Sequence, residues 1–350
     1  MKSQSIHLVD ITLKEGGFPI FHRFLALQIE NICRGLQQAG IQYSEISHGR
    51  GIGALDHGYP GLGNDDDWLK VAGLAAPQLK RIVYISTYDY SSVEKIESLS
   101  QLFDIGRVGV NIDEISKAEQ KIQTLKKLGK TAIAQLLRVH AREVETARIA
   151  ARELEAMGAD IIYITDNFGS MSAEEVKTYL SEIKTKTKLP LGFQGRNNTG
   201  RAIENTLAAL DAGAEWLDAS LTGMGQGAGL ASLEILASLL HERNLCRDIQ
   251  LSGLSHTSKF FAQPAIRSLP YIGLLDLLSA KHKIDYYPQA LLERLADILD
   301  MKLEDFLLEL KKVKGERVQL REIDLRRYLA EHKLDFDVVA EFLKTGQIPS

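Results

Sequence analysis

One pattern recurs along the chain: a helical stretch, a glycine, then a short apolar run that ends in polar residues. It is present as LQQAGIQYSEIS (36–47), LKKLGKTAIAQLL (125–137), LEAMGADIIYITD (154–166) and LDAGAEWLDAS (210–220). Gly40, Gly129, Gly158 and Gly213 fall where a helix needs a left-handed residue just past its end. The runs after them are too short for helices and largely free of charge, as strands buried on both faces of a parallel sheet must be. Four more runs, IHLVDITL (6–13), RIVYIST (81–87), RVGVNI (107–112) and PLGFQG (190–195), bring the strands to eight.

Helical patterns separate the strands. Ile115, Ala118, Ile122 and Leu125 share one helical face, and Val144, Ala147, Ala150 and Leu154 share another. SAEE (172–175) reads as a capping box opening a helix that buries Val176, Leu180 and Ile183. Eight strand–helix units in this length predict an α/β fold of the (β/α)8 TIM-barrel class over residues 1–250. An open, doubly wound sheet is the alternative. It calls for a G-x-G-x-x-G turn after the first strand, and KEGGFP (14–19) does not supply one. Beyond residue 250 the strand signal stops, and residues 251–350 read as a helical C-terminal domain. Its apolar stripes, Leu291, Leu295, Ile298 and Leu299 followed by Phe306, Leu307 and Leu310, predict packing on the barrel. They also predict an apolar face left over for a homodimer or a partner enzyme.

The net charge of −4 gives no attraction to nucleic acid or membrane surfaces. Cys33 and Cys246 are too few for a disulfide framework and read as reduced thiols. No apolar run is long enough to span a bilayer, and MKSQSIHLVD leads directly into a strand. A soluble, cytoplasmic protein is expected.

A barrel carries its active site at the C-terminal ends of its strands. Those positions hold Lys14, Glu15, Glu45, His48, Asn111, Gln135, Arg138, Asp166, Asn167, Gln194, Arg196, Asn198 and Asp218. So many charged groups on one rim are hard to explain by packing alone. The glycine-dense turn LTGMGQGAGLASLE (221–234) opens the last barrel helix, and its backbone N–H groups suit an anion.

Taken together, DITLKEGG (10–17), EISHGRGIG (45–53), YITDNFGSMS (163–172) and LDASLTGMGQGAGLASLE (217–234) resemble the 4-hydroxy-2-oxovalerate aldolase family. These are pyruvate-specific class II aldolases among the metal-dependent lyase-type barrels, which include 2-isopropylmalate synthase and HMG-CoA lyase. The resemblance implies a carbon–carbon lyase or synthase acting through an enolate on a small 2-oxo acid or related carbonyl carboxylate. The helical C-terminus resembles the family domain that contacts a partner aldehyde dehydrogenase.

The departures fall on the chemistry. In the family an aspartate of the first turn and a His-x-His pair after strand seven bind a divalent cation. The turn's arginine holds the 2-oxo acid. Here the arginine is Lys14, the aspartate is Glu15, and the histidines are Gln194 and Arg196. The family's histidine base is Phe18, and the asparagine closing its glycine loop is Leu230. Arg196 has no lone pair to give a metal, so no cofactor is expected. Mn or Mg held by Glu15 and Gln194 is the alternative. The expected catalytic set is Lys14, Glu15, His48 and Arg196, with Glu15 and Arg196 in a forked pair. Asn111, Asp166, Gln194, Asn198, Gly225 and Gly227 are expected to bind substrate. Lys14 also admits a Schiff base with a carbonyl. Two other readings stand beside this one: a rebuilt metal-dependent aldolase, and a non-catalytic homologue that serves as a docking module.

Overall fold

Each glycine that ends a helix in the recurring pattern adopts positive φ: 90° at Gly40, 68° at Gly129, 101° at Gly158 and 92° at Gly213. The chain reverses there and enters the next strand. The computed structural model describes residues 6–266, 269–285 and 289–334. Its strands are β1 (His7–Asp10), β2 (Tyr43–Glu45), β3 (Lys80–Ser86), β4 (Ile105–Asn111), β5 (Thr131–Leu137), β6 (Ile161–Asp166), β7 (Leu191–Gly195) and β8 (Trp216–Ala219). All pair in parallel, and β1 closes on β8 with His7 opposite Trp216 and Asp10 opposite Ala219. The sheet is a closed barrel, which removes the doubly wound alternative.

Strand β1 is shorter than the sequence predicts. It ends at Asp10, and Thr12–Glu15 forms a helical turn instead. Thr12 explains the change. Its hydroxyl donates to the buried Asp10 carboxylate and accepts the Leu221 N–H at 2.9 Å, tying the first turn to the last. The turn swings Lys14 and Glu15 over the top of the barrel.

Alternate residues point inward along each strand. The lower interior is aromatic and aliphatic: His7, Tyr43 and Trp216 stack edge and face, with Ile105, Ile133 and Ile161 nearby. Above them lies a buried ion pair. Arg107 donates to both oxygens of Asp218, at 2.6 and 3.0 Å, reaches Glu45 at 3.4 Å, and lies 4.4 Å from the Tyr163 ring centre. Glu45 and Asp218 therefore neutralise Arg107 inside the barrel and do not line its mouth. Two inward glycines make this layering possible. A Cβ on Gly109 would meet the Tyr84 hydroxyl at 2.0 Å, and one on Gly192 would meet the Tyr163 ring at 2.3 Å.

The outer helices follow the predicted faces. Ile115, Ala118, Ile122 and Leu125 are buried, as are Ala147, Ala150 and Leu154. The Ser172 hydroxyl accepts the Glu175 N–H, and Glu175 accepts the Ser172 N–H, which completes the capping box.

The C-terminal region divides differently from the expected boundary at 250. Leu254 and Ala262 belong to the barrel core, and a second core begins at Leu275. The stripes at 291–310 pack chiefly on one another rather than on the barrel. Leu291, Leu295, Phe306, Leu307 and Leu310 join Leu325, Tyr328 and Leu329, and Phe21 from the barrel side packs against them. Exposed apolar side chains lie at Leu269, Tyr271, Ile272, Leu274 and Leu277, and Ile298 of the stripe is exposed as well. Near the end of the region read as helical, a helix spans Glu322–Glu331, and the part of that region beyond Leu334 lies outside the described residues. Cys33 and Cys246 are free thiols. Among the described residues no helix is long and apolar enough to cross a membrane.

Candidate active site

The C-terminal ends of the strands open into a cavity of about 380 Å3. Its polar groups form two layers. The floor begins with Lys14, whose Nζ contacts the Glu15 carboxylate and lies 4.5 Å above the Tyr84 ring. Gln194 donates to Glu15 Oε1 at 3.4 Å, and its own Oε1 accepts from Gln135 at 2.8 Å. Gln135 also donates to Thr165 Oγ1 at 2.8 Å. Lys14 and Glu15 are 4% and 3% exposed, so this pair is held in a largely dry site. Burial alone would push the Glu15 carboxyl upward. Lys14 and Arg196 outweigh it and hold that carboxyl below its usual range. Glu15 Oε2 has no hydrogen-bond partner among the described residues.

The second layer is the rim. Arg196 donates to Asp285 at 3.0 Å and to Gln226 at 2.7 Å. Arg138 approaches the other Asp285 oxygen at 2.7 Å and donates to Asn111 Oδ1 at 2.5 Å. The expected fork between Arg196 and Glu15 is thus not formed. Each has another partner: Glu15 takes the nearer cation, Lys14, and Arg196 takes a carboxylate from the helical unit. Glu15 still senses Arg196 electrostatically. Gln319 accepts from Asn111 at 3.2 Å and from the Tyr88 hydroxyl at 3.3 Å, so the helical unit roofs the cavity.

Of the residues expected at the site, Lys14, Glu15, Asn111, Gln194 and Arg196 line the cavity. His48 does not. Its Nε2–H donates to the Pro60 carbonyl at 3.1 Å, and its Nδ1 accepts the Arg50 N–H at 3.1 Å. Both nitrogens are engaged by backbone, and burial pushes its pKa down to about 3. His48 therefore holds its loop and offers no lone pair to substrate. Asp166 accepts the Met171 N–H at 2.9 Å and Asn198 donates to the Phe168 carbonyl at 3.1 Å. Both shape neighbouring loops. Gly225 and Gly227 also lie off the cavity wall, and only Gln226 between them reaches it. The anion nest expected in that turn is largely taken up from within: the N–H groups of Ala228, Gly229 and Leu230 go to Asp276, Gln226 and Gly223.

Tyr84, Arg138 and Asp285 are among the lining residues outside the expected set. Tyr84 was detectable from inward parity in β3. Arg138 was visible as a rim residue but not carried into the site. Asp285 had no local signal, because it sits in a helical region far along the chain from its partners.

The HMGL-like family profile matches residues 5–261. The chain is 37% identical over 246 residues to a 4-hydroxy-2-oxovalerate aldolase from Moorella thermoacetica, covering 69% of this chain and 71% of that one. It belongs to the 4-hydroxy-2-oxovalerate aldolase family. A family member from Carboxydothermus hydrogenoformans is 31% identical over 320 residues, covering 89% and 93% of the two chains. The aldolase family is one of carbon–carbon lyases. Among solved structures, the carboxyl transferase domain of Rhizobium etli pyruvate carboxylase superposes with a TM-score of 0.79 at 16% identity, covering 97% of this chain and 62% of that one. The N-terminal domain of a candidate aldolase from Bacteroides vulgatus gives 0.72 at 21% identity, covering 87% and 100%. These two likenesses concern the fold. Within the aldolase family this member carries Lys14, Glu15, Gln194 and Arg196 at its barrel mouth.

Proposed function

We propose that this chain is an aldolase-type lyase that cleaves or forms the C3–C4 bond of a 4-hydroxy-2-oxo acid, with the enolate held by organic cations rather than by a divalent metal. The observation that carries the reading is the buried Lys14–Glu15 pair on the cavity floor. In the cleavage direction Glu15 Oε2 takes the proton of the C4 hydroxyl. The C3–C4 electron pair becomes the C2–C3 double bond, the C2 carbonyl pair moves onto its oxygen, and the aldehyde departs. Lys14 stabilises that oxyanion, with Arg196 adding to the field. Return of a proton to C3 completes the cycle.

The donor set speaks against the family's divalent cation. Glu15 Oε1 already faces Lys14 and Gln194, and the Gln194 oxygen accepts from Gln135. That leaves one carboxylate oxygen, flanked by an ammonium and a guanidinium that would repel the ion. No group of three or more His, Cys, Asp or Glu side chains suited to a metal occurs among the described residues.

The test is proton exchange at the pyruvate methyl group in D2O, followed by NMR on chelator-treated protein. Exchange should persist with chelator and fall by roughly 100-fold or more in Lys14→Ala and in Glu15→Gln. Exchange that appears only on adding Mn or Mg would overturn the metal-free reading. Absence of both exchange and aldol cleavage would favour the non-catalytic one.

A further inference from the structure

Arg138 and Arg196 reach the rim from different strands, β5 and β7, yet meet on one carboxylate, Asp285. All three are at least nine-tenths buried, at 8%, 7% and 6% exposure, and all three line the cavity. One carboxylate cannot satisfy two guanidiniums. The pair keeps one positive charge that Asp285 does not neutralise, and the Nε–H of each arginine has no hydrogen-bond partner among the described residues. Buried, unpartnered donors beside a cavity are costly unless something that enters the cavity uses them.

The backbone points the same way. Arg138 has φ 58° and ψ 35°, the left-handed region that a non-glycine residue occupies at a cost of about 1 kcal/mol or more. The conformation is fixed by its own N–H, which donates to Asn167 Oδ1 at 2.7 Å. Asn111 then holds one terminal nitrogen of the guanidinium. This strain turns the first residue past β5 toward the mouth of the barrel.

We propose that Arg138 and Arg196 form the subsite for the substrate's carboxylate, with Asp285 of the helical unit as the positioning residue that sets the spacing of the two guanidiniums. The proposal rests on the enolisation reading and orients the substrate within it: carboxylate at the rim, carbonyl at the floor beside Lys14. A planar carboxylate suits two forked donors better than a point charge would. The subsite selects for carbonyl compounds that carry an acidic group next to the carbonyl, and against their neutral esters.

The experiment is calorimetric titration of the full chain with pyruvate and with methyl pyruvate, which lacks the charge. Arg138→Gln should weaken pyruvate binding about tenfold or more while leaving the ester within about twofold. Asp285→Asn keeps the shape, removes the competing charge, and should tighten pyruvate binding by about threefold or more. Thermal melts of both variants confirm that they fold, and Arg138→Lys serves if Arg138→Gln does not. Equal loss of acid and ester in Arg138→Gln would overturn the subsite. So would unchanged pyruvate affinity in a folded Arg138 variant, or no saturable pyruvate binding by the unaltered protein. Proton exchange by the unaltered protein separates the two claims. Binding that depends on Arg138 without any proton exchange would sink the enolisation reading and leave the subsite standing.

Discussion

At the scale of single residues, protonation is where the site differs most from its appearance in sequence. Glu15 is held below its ordinary value of 4.5 by Lys14 and Arg196. In its proposed role as base Glu15 is active when deprotonated, so the rate should stay level through neutral pH and fall only below about pH 4.5. A profile that fell between pH 7 and 6 would instead indicate a histidine, and His48 is poorly placed to be one. Asp10 behaves in the opposite sense. It is fully buried beneath the first turn, and burial raises its pKa from 3.8 to about 7 although Thr12 and Ser44 donate to it. A carboxyl raised on folding stabilises the protein below its unfolded value, and that contribution is lost as pH rises through the folded one. Asp10→Asn mimics the protonated form. It should raise stability at pH 8 by on the order of 2 to 4 kcal/mol relative to the parent and have little effect near pH 4. Denaturant melts at the two pH values measure this.

At the scale of elements, the strands of the barrel were easier to read than the directions of the side chains at their ends. The glycine after a helix and the charge-poor run after it are local signals that gave four of the strands, and short apolar runs gave the other four. Position at a strand end, however, says only that a residue is near the mouth. Inward or outward aim depends on parity and on the turn that follows. Asn111 and Gln194 fall at inward positions of β4 and β7, whereas Asp166 and Asn198 turn aside to hold loops. Arg107 was overlooked for a related reason. A charge inside an apolar strand reads as an exception until Glu45 and Asp218 are seen beside it. Removing one member should be severe: Asp218→Ala leaves Arg107 without its main buried partner, at a cost of about 3–5 kcal/mol measurable by chemical denaturation. Gly109→Ala tests the packing above that pair. Its added methyl would collide with the Tyr84 hydroxyl, and overpacking of this kind costs about 1–3 kcal/mol. Because Tyr84 lies under Lys14, the same change should slow proton exchange even where the protein remains folded.

At the scale of the whole molecule, the helical unit is part of the site. Sequence alone presented it as a separate helical domain, since nothing local ties residue 285 to residues 138 and 196. The contacts also extend outward. Arg321 pairs with Glu114 at 2.9 Å, Lys283 donates to the His140 carbonyl at 2.6 Å, and Gln319 bridges Asn111 and Tyr88. The pair of Arg321 and Glu114 is partly exposed, so Arg321→Ala should cost less than about 1 kcal/mol in stability. It should nonetheless raise hydrogen exchange in the segment 316–323 that covers the cavity.

The closure of β1 on β8 also sets an order of events during synthesis. Strand one leaves the ribosome first but has no partner on its far side until residues 216–219 follow, and this pairing across most of the chain is slow to form. The cavity floor is assembled only at that point. Its rim waits longer, until Asp285 emerges. A nascent or prematurely ended chain therefore carries Lys14 and Glu15 without their enclosure, and the proposed enolate chemistry would not run on a half-made protein open to water.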